Sequence, residues 1–129
     1  MATAPAYAAT PRYAVGNLTT GVTTLTVTGV TGLTSIIAAG ANGTRINRVR
    51  IKATASNAAS LVSLWIYSGS GNAQLFDQFV TTSTTPSSTV ASYQADKTYT
   101  DFVLPTGYTL YASAYTTENW NVECFAADL

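Results

Sequence analysis

The sequence predicts an all-β protein, an antiparallel, jelly-roll-like β-sandwich of about eight to ten short strands. Turn signals rich in Gly, Pro and Asn separate apolar runs about every eight to twelve residues. Strand-favouring Thr, Val and Tyr are abundant, whereas charged residues make up only 9% of the chain and strong helix formers do not recur at helical spacing. No heptad or longer repeat is present. A length of 129 residues suits one domain with its own core.

The chain divides into an extended N-terminal arm, residues 1–11, and a single β-sandwich domain, residues 12–129. Pro5 and Pro11 oppose a helix in the arm. Two interpretations stay open: a disordered terminus, which is common for first residues, or an arm that binds a partner. The side chains that would anchor such an arm are Tyr7, Pro11, Arg12 and Tyr13.

Ten segments read as strands from their apolar patterning and their flanking turn residues. They are residues 12–16, 22–28, 33–37, 49–53, 61–67, 74–80, 90–95, 99–104, 108–114 and 120–126. Residues 61–67 carry apolar side chains on both faces, which predicts a central strand, and the Gly/Ser loop 68–72 makes it a hairpin with residues 74–80. Asp96 and Lys97 are expected in a turn, and residues 81–89 in a loop.

A basic strand organises the first half of the sequence. Four of the six basic residues lie between residues 43 and 54, namely Arg45, Arg48, Arg50 and Lys52. A period of two places Val49, Ile51 and Ala53 on a buried face and three cationic side chains on the other, those of Arg48, Arg50 and Lys52. Ile46 is out of phase with Val49, which predicts either a β-bulge or the end of a turn at Asn47.

Opposite charges are segregated along a chain of zero net charge. Every acidic residue follows residue 76, and Lys97 is the one basic residue among them. Either the two halves interleave in one sheet and their charges pair locally across strands, or opposite patches meet across a subunit or partner interface. A nucleic-acid partner is disfavoured, because the basic strand lacks interleaved aromatic residues and the protein is neutral.

The residue inventory argues against an enzyme and against any cofactor or metal. The sequence has no His, and its single cysteine, Cys124, lies on an apolar face where it is expected to be inert. The usual ligands for zinc and haem and the usual catalytic bases are therefore lacking. The sequence shows no signal-like apolar segment and no run of apolar residues long enough to cross a membrane, so we expect a soluble protein.

Two further chemical interpretations are weaker. Acidic pairs such as Asp96 with Asp101, or Glu118 with Glu123, follow no glycosidase-like pattern and are expected to be solvated. Large aromatic side chains offer a platform for sugar rings, although core or interface positions suit them better. The aromatic residues considered for such a platform are Trp65, Tyr67, Tyr111, Tyr115 and Trp120.

Several segments together carry a family resemblance: residues 7–12, 39–54, 61–67 and 104–108, with Asn121 and Val122. Through them the sequence resembles, over nearly its whole length, a family of small virion structural proteins of tailed bacteriophages. The Thr-rich segment 19–34 departs from the family pattern. The resemblance implies a capsid decoration (cement) protein on the phage capsid surface, with the major capsid protein as its partner and a homotrimer as the favoured assembly.

We expect the partner interface to combine the arm with the basic strand. Its predicted residues are Tyr7, Pro11, Arg12, Tyr13, Arg45, Arg48, Arg50 and Lys52. The alternative function is a receptor-binding or fibre module that recognises host glycan or protein through loop 81–89 and exposed aromatic side chains.

Overall fold

The computed structural model describes residues 10–129, which form two antiparallel β-sheets without a helix. The strands are β1 (Thr10–Leu18), β2 (Thr34–Ala38), β3 (Thr44–Ala53), β4 (Leu61–Tyr67), β5 (Gln74–Val80), β6 (Gln94–Thr98), β7 (Val103–Leu104), β8 (Thr109–Ala114) and β9 (Trp120–Asp128). Of the expected arm, Thr10 and Pro11 belong to β1, and Tyr7 lies outside the described residues.

The strand order confirms the predicted jelly-roll-like sandwich. Sheet A has the order β1-β9-β3-β6, with β7 also paired to β3, and sheet B has the order β2-β8-β4-β5. Strands therefore pair as in a long hairpin that has been rolled up: β1 with β9, β2 with β8, β3 with β6 and β7, and β4 with β5. Apart from the two-residue β7, which adds a fifth strand to sheet A, two sheets connected in this way are the jelly-roll arrangement.

The core lies between the sheets and is filled by the predicted inward faces of the strands. Val49 and Ile51 of β3 are fully buried. On β9 the predicted set of Trp120, Val122, Cys124 and Ala126 is buried as well. The predicted bulge is confirmed, since the register of β3 against β9 shifts between Ile46 and Arg48. This shift brings Ile46 into the core with Val49.

The prediction of a strand at residues 22–28 is wrong, because residues 19–33 form a long loop. Here threonine side chains bond the local backbone, as when the Thr31 hydroxyl donates to the Thr28 carbonyl at 2.9 Å, and such bonds compete with strand pairing. The loop is held at two points: the Val22 amide donates to the Ala114 carbonyl, and the Ala73 amide to the Gly29 carbonyl, both at 2.8 Å.

The attachments of this loop on both sides of β4 indicate that it covers Trp65 on the outer face of sheet B. That side chain points away from the core, yet it is only 1% exposed, and its indole nitrogen donates to the Ser113 hydroxyl at 2.9 Å. Ala114, one attachment point of the loop, is the last residue of β8, and Ala73, the other, directly precedes β5. β8 and β5 are the two neighbours of β4 in sheet B. Trp65 is therefore a second, smaller centre of packing beneath the loop.

The expected turn at Asp96 and Lys97 is also wrong, because both residues lie in the middle of β6. Their charges find partners on neighbouring strands. Asp96 faces outward against the arginines of β3, and Lys97 turns inward toward β5. Cross-strand pairing of this kind outweighs the local turn preference of an Asp-Lys pair.

A polar cluster joins the two sheets where β5 and β6 meet. The Lys97 ammonium lies 2.9 Å from one Asp77 carboxylate oxygen and donates to the Gln78 carbonyl at 2.7 Å. The Tyr99 hydroxyl donates to the other Asp77 oxygen at 2.8 Å. Burial alone would raise the pKa of Asp77, but bonds from Lys97, Tyr99 and the Gln78 amide outweigh it, so the pKa is lowered. Burial and the bond to Asp77 raise the pKa of Tyr99.

The opposite side of the sandwich is closed by close packing of β1 on β2. A side-chain carbon at Gly16 would lie 2.4 Å from the Ile36 Cδ1 atom and 3.3 Å from the Ser35 carbonyl oxygen. A larger residue at this position would have to displace the end of the Ile36 side chain and would crowd the Ser35 carbonyl. The Arg12 guanidinium spans the same corner, donating to the Ala38 carbonyl at 2.7 Å.

Replacing Asp77 with asparagine tests the polar cluster. We expect the free energy of unfolding at neutral pH to fall by roughly 1–3 kcal/mol, because the bonds to a charged acceptor are lost. A carboxyl group whose pKa is lowered on folding stabilises the fold above its unfolded pKa and loses that contribution as pH falls through the folded pKa. The difference between wild type and Asp77→Asn should therefore shrink below about pH 4. Urea denaturation at several pH values measures this difference in the free energy of unfolding. A difference that is constant with pH would contradict the lowered pKa of Asp77.

Replacing Gly21 with alanine tests the seating of the loop. The new methyl group would lie 2.9 Å from backbone atoms of both Thr116 and Thr117, which cannot turn aside as a side chain can. Overpacking of this kind costs about 1–3 kcal/mol, which urea denaturation would detect. Thr23→Ala, at an exposed position of the same loop, is the control and should change stability little. Equal effects of the two substitutions would contradict the close approach.

Candidate interaction surface

The outer face of sheet A gathers six of the predicted interface residues into one surface. The registers of β1, β9, β3 and β6 or β7 align outward side chains in four cross-strand rows. The rows are Pro11, Ala127, Arg45 and Val103; Tyr13, Phe125, Arg48 and Thr98; Val15, Glu123, Arg50 and Asp96; and Asn17, Asn121, Lys52 and Gln94. We refer to these sixteen residues as the sheet-A face.

An aromatic ring between two guanidinium groups forms the centre of the sheet-A face. The Cζ atom of Arg48 lies 4.3 Å from the centre of the Phe125 ring, and that of Arg50 lies 5.5 Å from it. The ring of Tyr13 packs against Phe125 from the other side, with a centroid distance of 5.3 Å. These contacts combine cation–π attraction with aromatic packing, and they hold long side chains in defined positions.

Acidic residues of the same sheet pair with these groups. Asp96 lies 3.1 Å from the Nε atom of Arg50 and 3.6 Å from a terminal nitrogen of Arg48. The Tyr13 hydroxyl donates to Glu123 at 2.9 Å, a bond that raises the pKa of Tyr13, with smaller contributions from burial and from the charge of Glu123. Of the two interpretations of the segregated charges, local pairing across strands is thus the one seen.

Local pairing leaves part of the surface uncompensated. Arg45 and Lys52, at opposite ends of β3, form no salt bridge with any residue in the range 10–129, and Lys52 reaches only the Gln94 side chain, at 3.5 Å. The sheet-A face therefore carries four cations and two carboxylates. Its exposed apolar side chains include Tyr13, 58% exposed, and Val15, 49% exposed.

Arg12 differs from the other predicted interface residues because it faces the opposite side of β1. Its guanidinium lies 3.1 Å from Asp128 in addition to its bond to β2. Asp128 also accepts a hydrogen bond of 2.7 Å from the buried Thr44 hydroxyl, and this bond, helped by Arg12, lowers the pKa of Asp128. Arg12 thus ties the strands of this corner together.

Burial bears on two of the remaining chemical expectations, the two tryptophans of the sugar platform and the role of Cys124. Trp65 and Trp120 are each 1% exposed, so they are not available as a sugar platform. Cys124 is buried, and burial raises the pKa of its thiol to about 12, which agrees with the inert role expected for it. Within the described part of the chain, no group of three or more His, Cys, Asp or Glu side chains is placed to hold a metal ion, and no helix could span a membrane.

A cavity of about 380 Å³ lies within the loop of residues 19–33. Its walls are the loop's own threonines, glycines and valines, with Val22 and Val27 among them. The expected binding loop, residues 81–89, contains only Thr, Ser and Pro86. Neither place brings an aromatic side chain together with a charged one, as the sheet-A face does.

Sequence reasoning missed Phe125 and the carboxylates beside the arginines, because β9 and β6 follow the basic strand only after long stretches of chain. The argument against nucleic acid from a lack of interleaved aromatic residues does not hold for the folded sheet, since Phe125 lies beside Arg48 in its row and Tyr13 lies beside Phe125. The carboxylates of Asp96 and Glu123 on the same face still oppose a polyanion.

No protein-family model matches the sequence, and neither a curated protein nor a solved structure is significantly similar to it. The chemistry of the sheet-A face and the sequence resemblance are thus the basis for a functional proposal.

Replacing Asp96 with asparagine tests whether the ion pairs of the sheet-A face serve stability. The side chains of Asp96, Arg48 and Arg50 are about one-third exposed. Surface ion pairs of this kind contribute at most about 1 kcal/mol to the free energy of unfolding. We expect Asp96→Asn to lower the free energy of unfolding by less than Asp77→Asn, and the small loss to decrease with added salt. A larger loss than that of Asp77→Asn in urea denaturation would show that these pairs maintain the fold.

Proposed function

We propose that the protein is a non-enzymatic structural protein of a tailed-bacteriophage virion, a capsid decoration protein that binds the outer surface of the major capsid protein and stabilises the shell. One observation carries this proposal: the sheet-A face collects Arg, Tyr and exposed apolar side chains on one side of a rigid sheet. The sequence resemblance supplies the class of partner.

The composition of the sheet-A face suits a protein partner. Arginine and tyrosine are enriched in the energetically important parts of protein interfaces, where they combine apolar contact with directed hydrogen bonds. Phe125 and Asp96 already hold Arg48 and Arg50 in place, so binding would immobilise fewer free side chains. The excess of positive charge favours a partner surface that carries carboxylates.

The position of the charges suggests how the surface would work. Arg45 and Lys52 lie at the two ends of β3, outside the central Arg–Phe cluster. Charges at the rim of an interface mainly steer the encounter and fix the register, whereas a packed centre determines the lifetime of the complex. We assign the steering role to Arg45 and Lys52. The packed centre that determines the lifetime of the complex is assigned to Tyr13, Phe125 and Arg48.

Stabilisation of the shell follows from mass action. A protein that binds the assembled lattice but not its dissociated subunits adds RT ln(1 + [L]/Kd) per site, about 2.7 kcal/mol when the free concentration is a hundred times Kd. Many equal sites on one shell multiply this effect. The jelly-roll arrangement is frequent among viral capsid proteins, which supports the proposal by analogy only.

Charge reversal at the rim tests the proposal. Undecorated capsids of the phage that encodes the protein are mixed with the protein and pelleted. Bound protein is measured as a function of the free protein concentration. We expect wild type to bind and to raise the temperature at which the shells open. Arg45→Glu combined with Lys52→Glu should weaken binding at least about tenfold, mainly through the association rate.

The matched control keeps both charges, as Arg45→Lys with Lys52→Arg, and should bind within a few-fold of wild type. Binding that is equally strong in all three proteins would exclude the sheet-A face as the docking surface. If the protein does not bind capsids but binds host cells or glycans, the decoration role is wrong and receptor binding replaces it.

A further inference from the structure

Among residues 10–129, no strand pairs with the outer edge of β1. β1 is the last strand of sheet A, and within this range it pairs only with β9. Beyond that pairing, no residue of β1 forms a backbone hydrogen bond with another residue of the described chain, 10–129. Backbone groups on such an edge are a template for another strand.

The other edge strands are protected in recognised ways, and the shortest of them, β7, has only two residues. β2 has five residues and a register shift between Ser35 and Ile37, and β6 has five residues and carries the charges of Asp96 and Lys97. β5 pairs with β4 through a shifted register and places Asp77 in the polar cluster. Short length, bulges and charged side chains all discourage pairing between sheets.

β1 has none of these protections over most of its length. It has nine residues, and its register against β9 is continuous from Thr10 to Leu18. Its one charged side chain, Arg12, is turned toward β2 and Asp128. Pro11 interrupts the edge only at its N-terminal end, since proline has no amide hydrogen to donate. The two exposed apolar side chains of the strand, Tyr13 and Val15, lie on the same face.

We propose that β1 pairs with β1 of a second copy of this protein, antiparallel and about a twofold axis at Ala14. Ala14 is the midpoint of the strand, so this register is the one that engages all nine residues. It places Tyr13 of each copy opposite Val15 of the other, and Arg12 opposite Gly16. An aromatic residue facing a β-branched residue is a favourable cross-strand pair, and here both are exposed in the single chain.

This pairing joins the two sheet-A faces into one continuous surface. The sheet of the dimer would have the order β6-β3-β9-β1 followed by the same strands reversed in the second copy. Both sheet-A faces then lie on the same side, because residues that face each other across an antiparallel pair point to the same side of the sheet. A twofold dimer is distinct from the homotrimer implied by the sequence resemblance, and it does not depend on the proposed role in a virion.

Sedimentation velocity over a wide concentration range tests the dimer. A contact made by one strand pair lies at the small end of specific interfaces, so we expect a reversible monomer–dimer equilibrium. Val15→Lys places a charge on the edge and should abolish the dimer. The matched control is Val103→Lys, an exposed valine on the sheet-A face but away from β1, which should dimerise as wild type does.

Paired cysteines test the register independently of stability. A mixture of Tyr13→Cys and Val15→Cys proteins should be joined by a short thiol-specific cross-linker, whereas Tyr13→Cys mixed with Asn17→Cys, which is out of register, should react much less. The buried Cys124 is common to all samples. Wild type that stays monomeric, a trimer that Val15→Lys leaves intact, or equal cross-linking in the two mixtures would each overturn the proposal.

Discussion

The pairing of β3 with β9 at the centre of sheet A is the constraint on which the rest of the structure depends. It is a nine-pair ladder with one irregularity, the bulge between Ile46 and Arg48. Because a strand alternates its faces with a period of two, a shift of one residue exchanges the buried and exposed sets. The bulge allows Ile46 and Val49 to be buried together, and it sets Arg48 in the row of Phe125.

Patterns that are local in the chain were predictable from the sequence. The hairpin of β4 and β5 has the predicted bounds, because alternation and a Gly/Ser loop specify it without help from distant residues. Strict alternation likewise explains why Arg12 lies on the opposite side of β1 from Tyr13. The bulge at Asn47 was also predictable, because the alternation of apolar and polar residues changes phase between Ile46 and Val49.

Features that depend on distant partners were not predictable. The Thr-rich segment 22–28 has the composition of a strand, but its hydroxyl groups bond its own backbone instead of pairing with a strand of either sheet. Asp96 and Lys97 have the local composition of a turn, but they lie in a strand where Arg50 of β3 and Asp77 of β5 pair with their charges. Phe125 joined the candidate surface only because β9 lies between β1 and β3. Strand order, rather than propensity, decided each of these cases.

The two tryptophans occupy different layers of the molecule. Trp120 belongs to the core between the sheets, where its ring meets Tyr93 edge-on at 6.0 Å and its indole nitrogen has no hydrogen-bond partner among residues 10–129. Trp65 lies outside that core, beneath the loop of residues 19–33, and its indole nitrogen is bonded to Ser113. Opening of the loop would expose Trp65 to solvent and leave Trp120 buried. The protein thus contains two natural optical probes, one for opening of its surface layer and one for loss of the whole fold.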